Sequence, residues 1–314
     1  MSRPLIYIDQ NIIGLQLNGI IELGKRDDVV WVYSKEHFSE IKRANEPEKY
    51  LDVLDAIDAK LLDLILDENG KITSEAALNE AGSPHQHYYN YIAVTEDVSF
   101  DDTIFDPLQV WINGGACKGL LMELPDKFER EILNLTIGLP MDNTEMLDKA
   151  QSLKPELASM VDEMVSNGND TEKTRAAMGG EKGAFGSLVG ENQILRIWEK
   201  ISSTMRGTDI SCDQFFGFNP VDKQGYDVWP TYLGIIGCNA VLDLLGFQAE
   251  KKCRDLNKIQ NVRSDAVHIA MGAYCSAILS NDGRLINRAR AIYEYKNIDT
   301  TPVSVSRNTN KPRQ

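Results

Sequence analysis

Hydrophobic and polar positions divide the chain into two sheet-like ends and a long helical middle. Leu5 to Ile8 is a short apolar run of strand length ended by Asp9, and the segment NIIGLQLNGIIELG behind it reads as a helix broken at Gly14 and Gly19. Val29 to Tyr33 is a second β-branched and aromatic run, followed from Ser34 by a helix-like stretch carrying Glu40, Ile41 and Lys42. Near the other end, Asp265, Ile269, Gly272 and Ser276 fall at helical spacing, with small residues that permit close packing on a sheet. Ala277 to Ser280 then reads as a buried strand and Arg284 to Tyr295 as a helix. Pro302 to Val305 reads as an edge strand, where the missing N–H of proline is tolerated. The tail RNTNKPRQ is expected to be disordered.

The middle has a different period. Leu51, Leu54, Ile57, Leu61 and Ile65 recur at three- and four-residue spacing, which predicts one amphipathic helix over 47–67 stopped by Asn69-Gly70. Residues 145–166, 191–205 and 231–246 read as further helices, the last ending at Gly246, while 68–115 and 207–229 read as irregular. The expected class is α/β: a parallel sheet of about four or five strands with flanking helices, because short segments from both ends must share one core. Residues 1–45 and 250–314 would form this discontinuous domain, and 46–249 a mainly helical insertion.

Composition narrows the class. The chain is 42% hydrophobic and 25% charged, as in ordinary globular proteins, and no apolar run approaches the roughly 18 residues of a membrane span. The start, MSRPLIYID, lacks the pattern of a secretory signal, so a cytoplasmic location is expected. Cys117, Cys212, Cys238, Cys253 and Cys275 are widely spaced without a CxxC pair, which argues against a disulfide framework and a zinc site. A net charge of -14 argues against a phosphate-rich partner until its distribution is considered. Residues 251–290 carry a local +5, and that stretch reads either as a solvated helix surface or as a phosphate track.

Asp9, Glu40, Asp265 and Asp282 carry the candidate chemistry. Each stands at the end of an expected strand or on the helix beside one, where ligands of parallel α/β sheets bind. Gathered there, they would repel one another unless a cation lies between them, and hard oxygen ligands favour Mg²⁺ or Mn²⁺. Each also has a structural alternative. Asp9, Asp265 and Asp282 suit helix N-caps or turns, and Glu40 suits a solvated helix face.

These residues resemble the PIN-domain family of metal-dependent ribonucleases. Asp9-Gln10-Asn11 matches the family's opening Asp-x-Asn, and Ser34 with Glu40 matches its second motif. SDAVHIAMGA matches the helix of the third acid, and Ser280-Asn281-Asp282 the strand end of the fourth. The likeness covers residues 1–45 and 250–305; the middle is much longer than in compact members, and the family's third strand is not evident in it. The resemblance implies that Asp9, Glu40, Asp265 and Asp282 hold one or two Mg²⁺ or Mn²⁺ ions for in-line hydrolysis of RNA, leaving 5′-phosphate ends. It also implies that Asn11, Ser34 and Ser280 support the carboxylates; from their places in the sequence, His268 is a further candidate for that support, and Lys258, Arg263, Arg284 and Arg288 are expected to hold phosphates. Because an unrestrained ribonuclease would harm its host, control by an antitoxin-like partner or activation during infection is expected.

Other signals carry less. His85 and His87 read as part of a structural loop, and His268 either as a core histidine or as a partner of a catalytic carboxylate. GGEKGAFGSLVGEN lacks the P-loop pattern and reads as a mobile loop. Tyr88, Tyr89, Tyr91, Phe215, Phe216 and Phe218 read either as base-stacking or as packing residues. Three rivals stand beside the ribonuclease reading. A haloacid-dehalogenase-like phosphatase needs an acid where Asn11 stands, a flap-type DNA nuclease needs more carboxylates, and a PIN-shaped binding protein needs none of the four.

Overall fold

The LIYI run pairs on both sides. In the computed structural model, which describes residues 3–97, 102–137, 144–179, 185–186, 188–204, 209–249 and 251–306, it forms β1 (Leu5–Ile8). The chain continues through α1 (Gln10–Leu17), β2 (Val30–Tyr33), α2 (Lys35–Lys42), α3 (Pro47–Ala56), β3 (Lys60–Leu66) and β4 (Ile72–Asn79). A helical stretch follows: α4 (Pro84–Asp97), α5 (Asp106–Ile112), α6 (Lys118–Met122), α7 (Leu124–Ile137), α8 (Thr144–Asn167), α9 (Thr171–Ala177), α10 (Gln193–Ser202), α11 (Cys212–Phe215) and α12 (Thr231–Leu245). The last elements are α13 (Ile259–Gly272), β5 (Ala277–Ser280), α14 (Gly283–Lys296) and β6 (Thr301–Ser304).

The α/β class is as expected, with one mixed six-stranded sheet of order β4-β3-β2-β1-β5-β6. All neighbours are parallel except β3 and β4. Side chains alternate across it with period two. Tyr7, Val30, Val32, Leu62 and Ile278 face one core with α10, α12, α13 and α14, whereas Ile8, Trp31, Tyr33 and Leu61 face another with α1, α2, α3 and α4. A third core gathers α5 to α8 around Trp111, Leu121 and Val161 and receives Ile259 and Val262 from α13. The long middle therefore divides, because α10 and α12 cover the sheet while α5 to α8 surround the third core.

Three expectations need correction. The stretch 47–67 is not one helix: α3 ends at Ala56, Asp58 takes a left-handed φ of 57°, and Lys60–Leu66 joins the sheet beside β2. Its apolar spacing satisfied both periods, and pairing with Val32 and Tyr33 selects the strand. This is the third parallel strand that was not evident in the sequence. The stretch 68–115 is largely regular, comprising β4, α4, a short 3₁₀ turn over Asp102–Phe105 and α5. Finally, α13 begins at Ile259 with Lys258 at its N-cap, so Asp265 lies inside the helix and not at its start. The expected helices at 145–166, 191–205 and 231–246 correspond to α8, α10 and α12, and Gly246 closes the last with a φ of 80° that side-chain-bearing residues avoid. The tail and residues 180–184 and 187 of the glycine-rich segment lie outside the described residues.

Candidate active site

Strand order reverses at β1. From it the chain goes outward to β2 and β3 on one side, and later to β5 and β6 on the other. The crevice beyond the carboxyl ends of β1 and β5 is the switch point at which open α/β sheets bind ligands. Ile8 pairs with Leu279, so Asp9 and Ser280, the next residues of each strand, stand side by side at that crevice.

Their contacts are direct. Ser280 Oγ donates to Asp9 Oδ2 at 2.6 Å, and Asn11 Nδ2 donates to the same oxygen and to Ser280 Oγ at 3.0 Å. Asn11 Oδ1 accepts from the Asn281 amide at 2.8 Å, which ties the first motif to the last. Asp9 occupies the N-cap position of α1 but makes no capping hydrogen bond there; its side chain is spent on the crevice. Asp282 follows the structural alternative, since its Oδ1 accepts from the Arg284 and Leu285 amides at the start of α14. Its own amide donates to Ser280 Oγ at 2.9 Å, so it stays part of the cluster.

Helices α2 and α13 close the other side. His268 is fully buried, with Nε2 at 2.9 Å from Glu40 Oε2 and 3.6 Å from Asp9 Oδ1. This histidine is a core residue, and it also holds the carboxylate of Glu40. Burial alone would lower its pKa, but the charges of Glu40, Asp9 and Glu36 outweigh that and raise it to about 10, so it is an imidazolium at neutral pH. Burial likewise pushes Glu40 upward, and the closer imidazolium brings it below the ordinary value. Asp9 ends up raised, because burial outweighs the more distant imidazolium and the Ser280 hydrogen bond. Asp265 is half-buried one turn before His268 on α13, and its charge reaches Arg288.

Two residues missed in the sequence organise this centre. Tyr7 lies in the apolar run of β1, and its hydroxyl meets His268 Nδ1 and Ser34 Oγ, each at 2.8 Å. Glu40, His268, Tyr7 and Ser34 thus form one buried chain. His37 sits edge-on to His268 with ring centroids 4.9 Å apart; its Nδ1 accepts from the Ser34 amide and Nε2–H donates to the Ile8 carbonyl at 2.7 Å. Burial and the neighbouring His268 charge push it down to about 3, so it stays neutral. The available signal was the buried polar tip of a tyrosine, which needs a partner, and a histidine three residues after a capping serine.

The expected phosphate contacts fare unevenly. Arg288 is 4% exposed and its Nη2 binds Asp243 and the Phe247 carbonyl, so it faces the interior and is unavailable to a phosphate. Lys258 pairs with Asp255 at 3.0 Å, and Arg263 with Asp106 at 2.6 Å. Arg284 is exposed in the first turn of α14, beside Asp282. His85 and His87 lie on α4 and not in a loop; His87 bonds Tyr33 and the Ala81 carbonyl, while His85 stands near Glu48 and Asp52. Tyr88 and Phe216 are core residues, and Phe215 and Phe218 pack near Tyr295 and Trp198. Tyr89 is exposed, with its hydroxyl on Glu48, and Tyr91 is half-buried.

Among the described residues, no three His, Cys, Asp or Glu side chains stand in a geometry ready to hold an ion. Asp9 and Glu40 carry the hard oxygen donors that a divalent ion takes. Both approach Nε2 of His268, at 3.6 and 2.9 Å, so the imidazolium is the positive charge that stands between them. Among the described residues no helix is long and apolar enough to cross a membrane. No family model, curated protein or solved structure matches the chain.

Proposed function

We propose that this chain is a PIN-like, metal-dependent endoribonuclease. The observation that carries the reading is the meeting of Asp9 and Glu40 from separate strand–helix units, with Ser280, Asn11 and Asp282 beside them, at the switch point of a parallel sheet. Asp9 and Glu40, completed by Asp265 and by Asp282 through the oxygen its helix cap leaves over, would hold Mg²⁺ or Mn²⁺. The ion's chemistry when bound is to polarise a phosphodiester and to make bound water a nucleophile near neutral pH.

The chain's own residues supply position. Asn11 and Ser280 fix which oxygen of Asp9 faces the protein, and Asn281 locks Asn11 in place. His268 holds Glu40 close to Asp9 and is itself fixed through Tyr7 and Ser34. RNA is the substrate that the family resemblance favours over DNA. Control by an antitoxin-like partner or during infection, and a cytoplasmic location, belong to the same reading.

The test is incubation of the purified protein with total cellular RNA in Mg²⁺, Mn²⁺ or chelator, beside Asp265→Asn. The expected result is metal-dependent cuts with 5′-phosphate ends that the variant does not make. Intact RNA and DNA in both metals would sink the reading and favour a binding role.

A further inference from the structure

Three open cavities adjoin one another along the outer side of α2 and α13, with volumes of about 350, 560 and 500 Å³. The first two share Tyr91 and Tyr232 as lining residues, and the last two share Thr103 and Gln260, so together they make one groove. Its character changes along its length. The end formed by β3 and β4 presents Leu62, Leu64, Leu66 and Ile72 beside the Lys35–Asp63 ion pair at 2.9 Å. The two tyrosines stand at the junction. The middle is lined by Lys42, Arg43, Arg263 and Glu36; Arg263 is paired with Asp106 of the adjoining cavity at 2.6 Å, and Glu36 Oε1 accepts from Ser264 Oγ at 2.5 Å. Across the three cavities six cations face four acids, so the groove is net positive in a chain of net charge -14. Lys42 and Arg43 are exposed, and Arg43 is held by the neutral side chain of Gln260 at 2.9 Å, so its charge is not cancelled by that partner.

We propose that this groove binds a single-stranded nucleic acid, with phosphates along Lys42 and Arg43 and bases against Tyr91, Tyr232 and the leucines of the β3–β4 end. An aromatic and apolar wall rewards exposed base faces, which a single strand offers and a duplex keeps stacked inside. The charged middle supplies attraction to the backbone independent of sequence. The groove also leads to the carboxylates: Ser39 and Arg43 flank Glu40 on α2 within about one turn, and Ser264 precedes Asp265 on α13. A strand lying there passes beside the candidate active site. The assignment rests on the nuclease reading for its catalytic meaning, but the binding itself does not require it.

The experiment measures binding in chelator, where no cutting occurs, by fluorescence anisotropy of labelled single-stranded RNA, single-stranded DNA and duplex RNA over a salt series. The proteins are wild type, Lys42→Glu/Arg43→Gln, Tyr232→Leu, and Arg26→Gln as an exposed control near the opposite end of the sheet. Wild type should bind a single strand more tightly than the duplex. The double variant should bind about tenfold more weakly, with a salt slope shallower by about 1.4. Tyr232→Leu should lose about fivefold or more, and the control less than twofold. A wild type that prefers duplex or binds no single strand in low salt would overturn the proposal, as would a double variant with unchanged affinity and slope. Wild type that binds through these residues yet never cuts with metal would leave the groove standing and remove the nuclease. Cutting that is indifferent to these residues would do the reverse.

Discussion

Replacing Glu40 by glutamine tests the buried charge pair on which the site is built. Nε2 of His268 lies 2.9 Å from Glu40 Oε2, and the imidazole is fully buried while the Glu40 side chain is 18% exposed. At an effective dielectric of about 20, unit charges at that separation attract by roughly 6 kcal/mol. The whole of that is not lost, because His268 in the variant releases its proton instead of remaining an uncompensated buried charge. Removing one partner of a buried pair costs about 3–5 kcal/mol, and the partial exposure of Glu40 lowers this to about 2–4 kcal/mol. The pH dependence follows from the shifts. His268 is raised from 6.5 to about 10, so its contribution is complete below 6.5 and fades as pH climbs towards about 10. Glu40 is lowered from 4.5, so its contribution is present above that value and is lost as pH falls through the folded-state pKa. The difference between wild type and variant is therefore widest from 4.5 to 6.5 and narrows on the alkaline side. Urea unfolding at pH 6, 8 and 9.5, in a double-mutant cycle with His268→Gln, measures it. A variant within about 0.5 kcal/mol of wild type at pH 6, or a difference that does not shrink with rising pH, would refute the reasoning.

Other outcomes follow from the same contacts. Asp9→Asn should abolish metal-dependent cleavage while leaving the melting temperature equal or higher, because burial holds the Asp9 carboxyl above its usual range and disfavours its charge at neutral pH; calorimetry reads the melting and an RNA assay the activity. Arg288→Leu should cost about 3–5 kcal/mol in urea unfolding by stranding Asp243, with RNA affinity of the folded protein unchanged, since this arginine faces the core. Gly272→Val should cost about 1–3 kcal/mol or more, because a Cβ there would stand 2.8 Å from Ile278 Cδ1 and 3.0 Å from the Tyr293 hydroxyl. Asp282→Ala removes the cap of α14 and should destabilise by about 1 kcal/mol, a small change beside the expected loss of cleavage.

What the sequence made legible, and what it hid, has physical reasons. β1, β2 and β5 are short β-branched runs ended by polar residues, so Asp9, Ser34, Ser280 and Asp282 were placed at strand ends from the pattern alone. β3 was hidden because KLLDLIL is apolar enough to continue the helical spacing of α3; only its neighbour β2 decides the matter. β4 was hidden because an outer strand with one open face carries few apolar residues to reveal it. The buried chain through Tyr7 was unreadable, since its central link joins Tyr7 to His268, 261 residues apart in sequence. Arg288 was misassigned for the same reason, its partner Asp243 lying 45 residues upstream on α12. Local charge counts could not distinguish a core arginine from a groove arginine, whereas the cations that line the groove include Lys42 and Arg43 from the acidic part of the chain.

The claim that Asp9 and Glu40 form the heart of a divalent-cation site is tested most directly by titrating the protein with Mn²⁺ and reading binding by calorimetry, for wild type, Asp9→Asn and Glu40→Gln. Saturable binding of one or two ions by wild type, greatly weakened in both variants while their folds persist, is the predicted result. No saturable binding at millimolar Mn²⁺, or binding that both variants retain unchanged, would contradict the account.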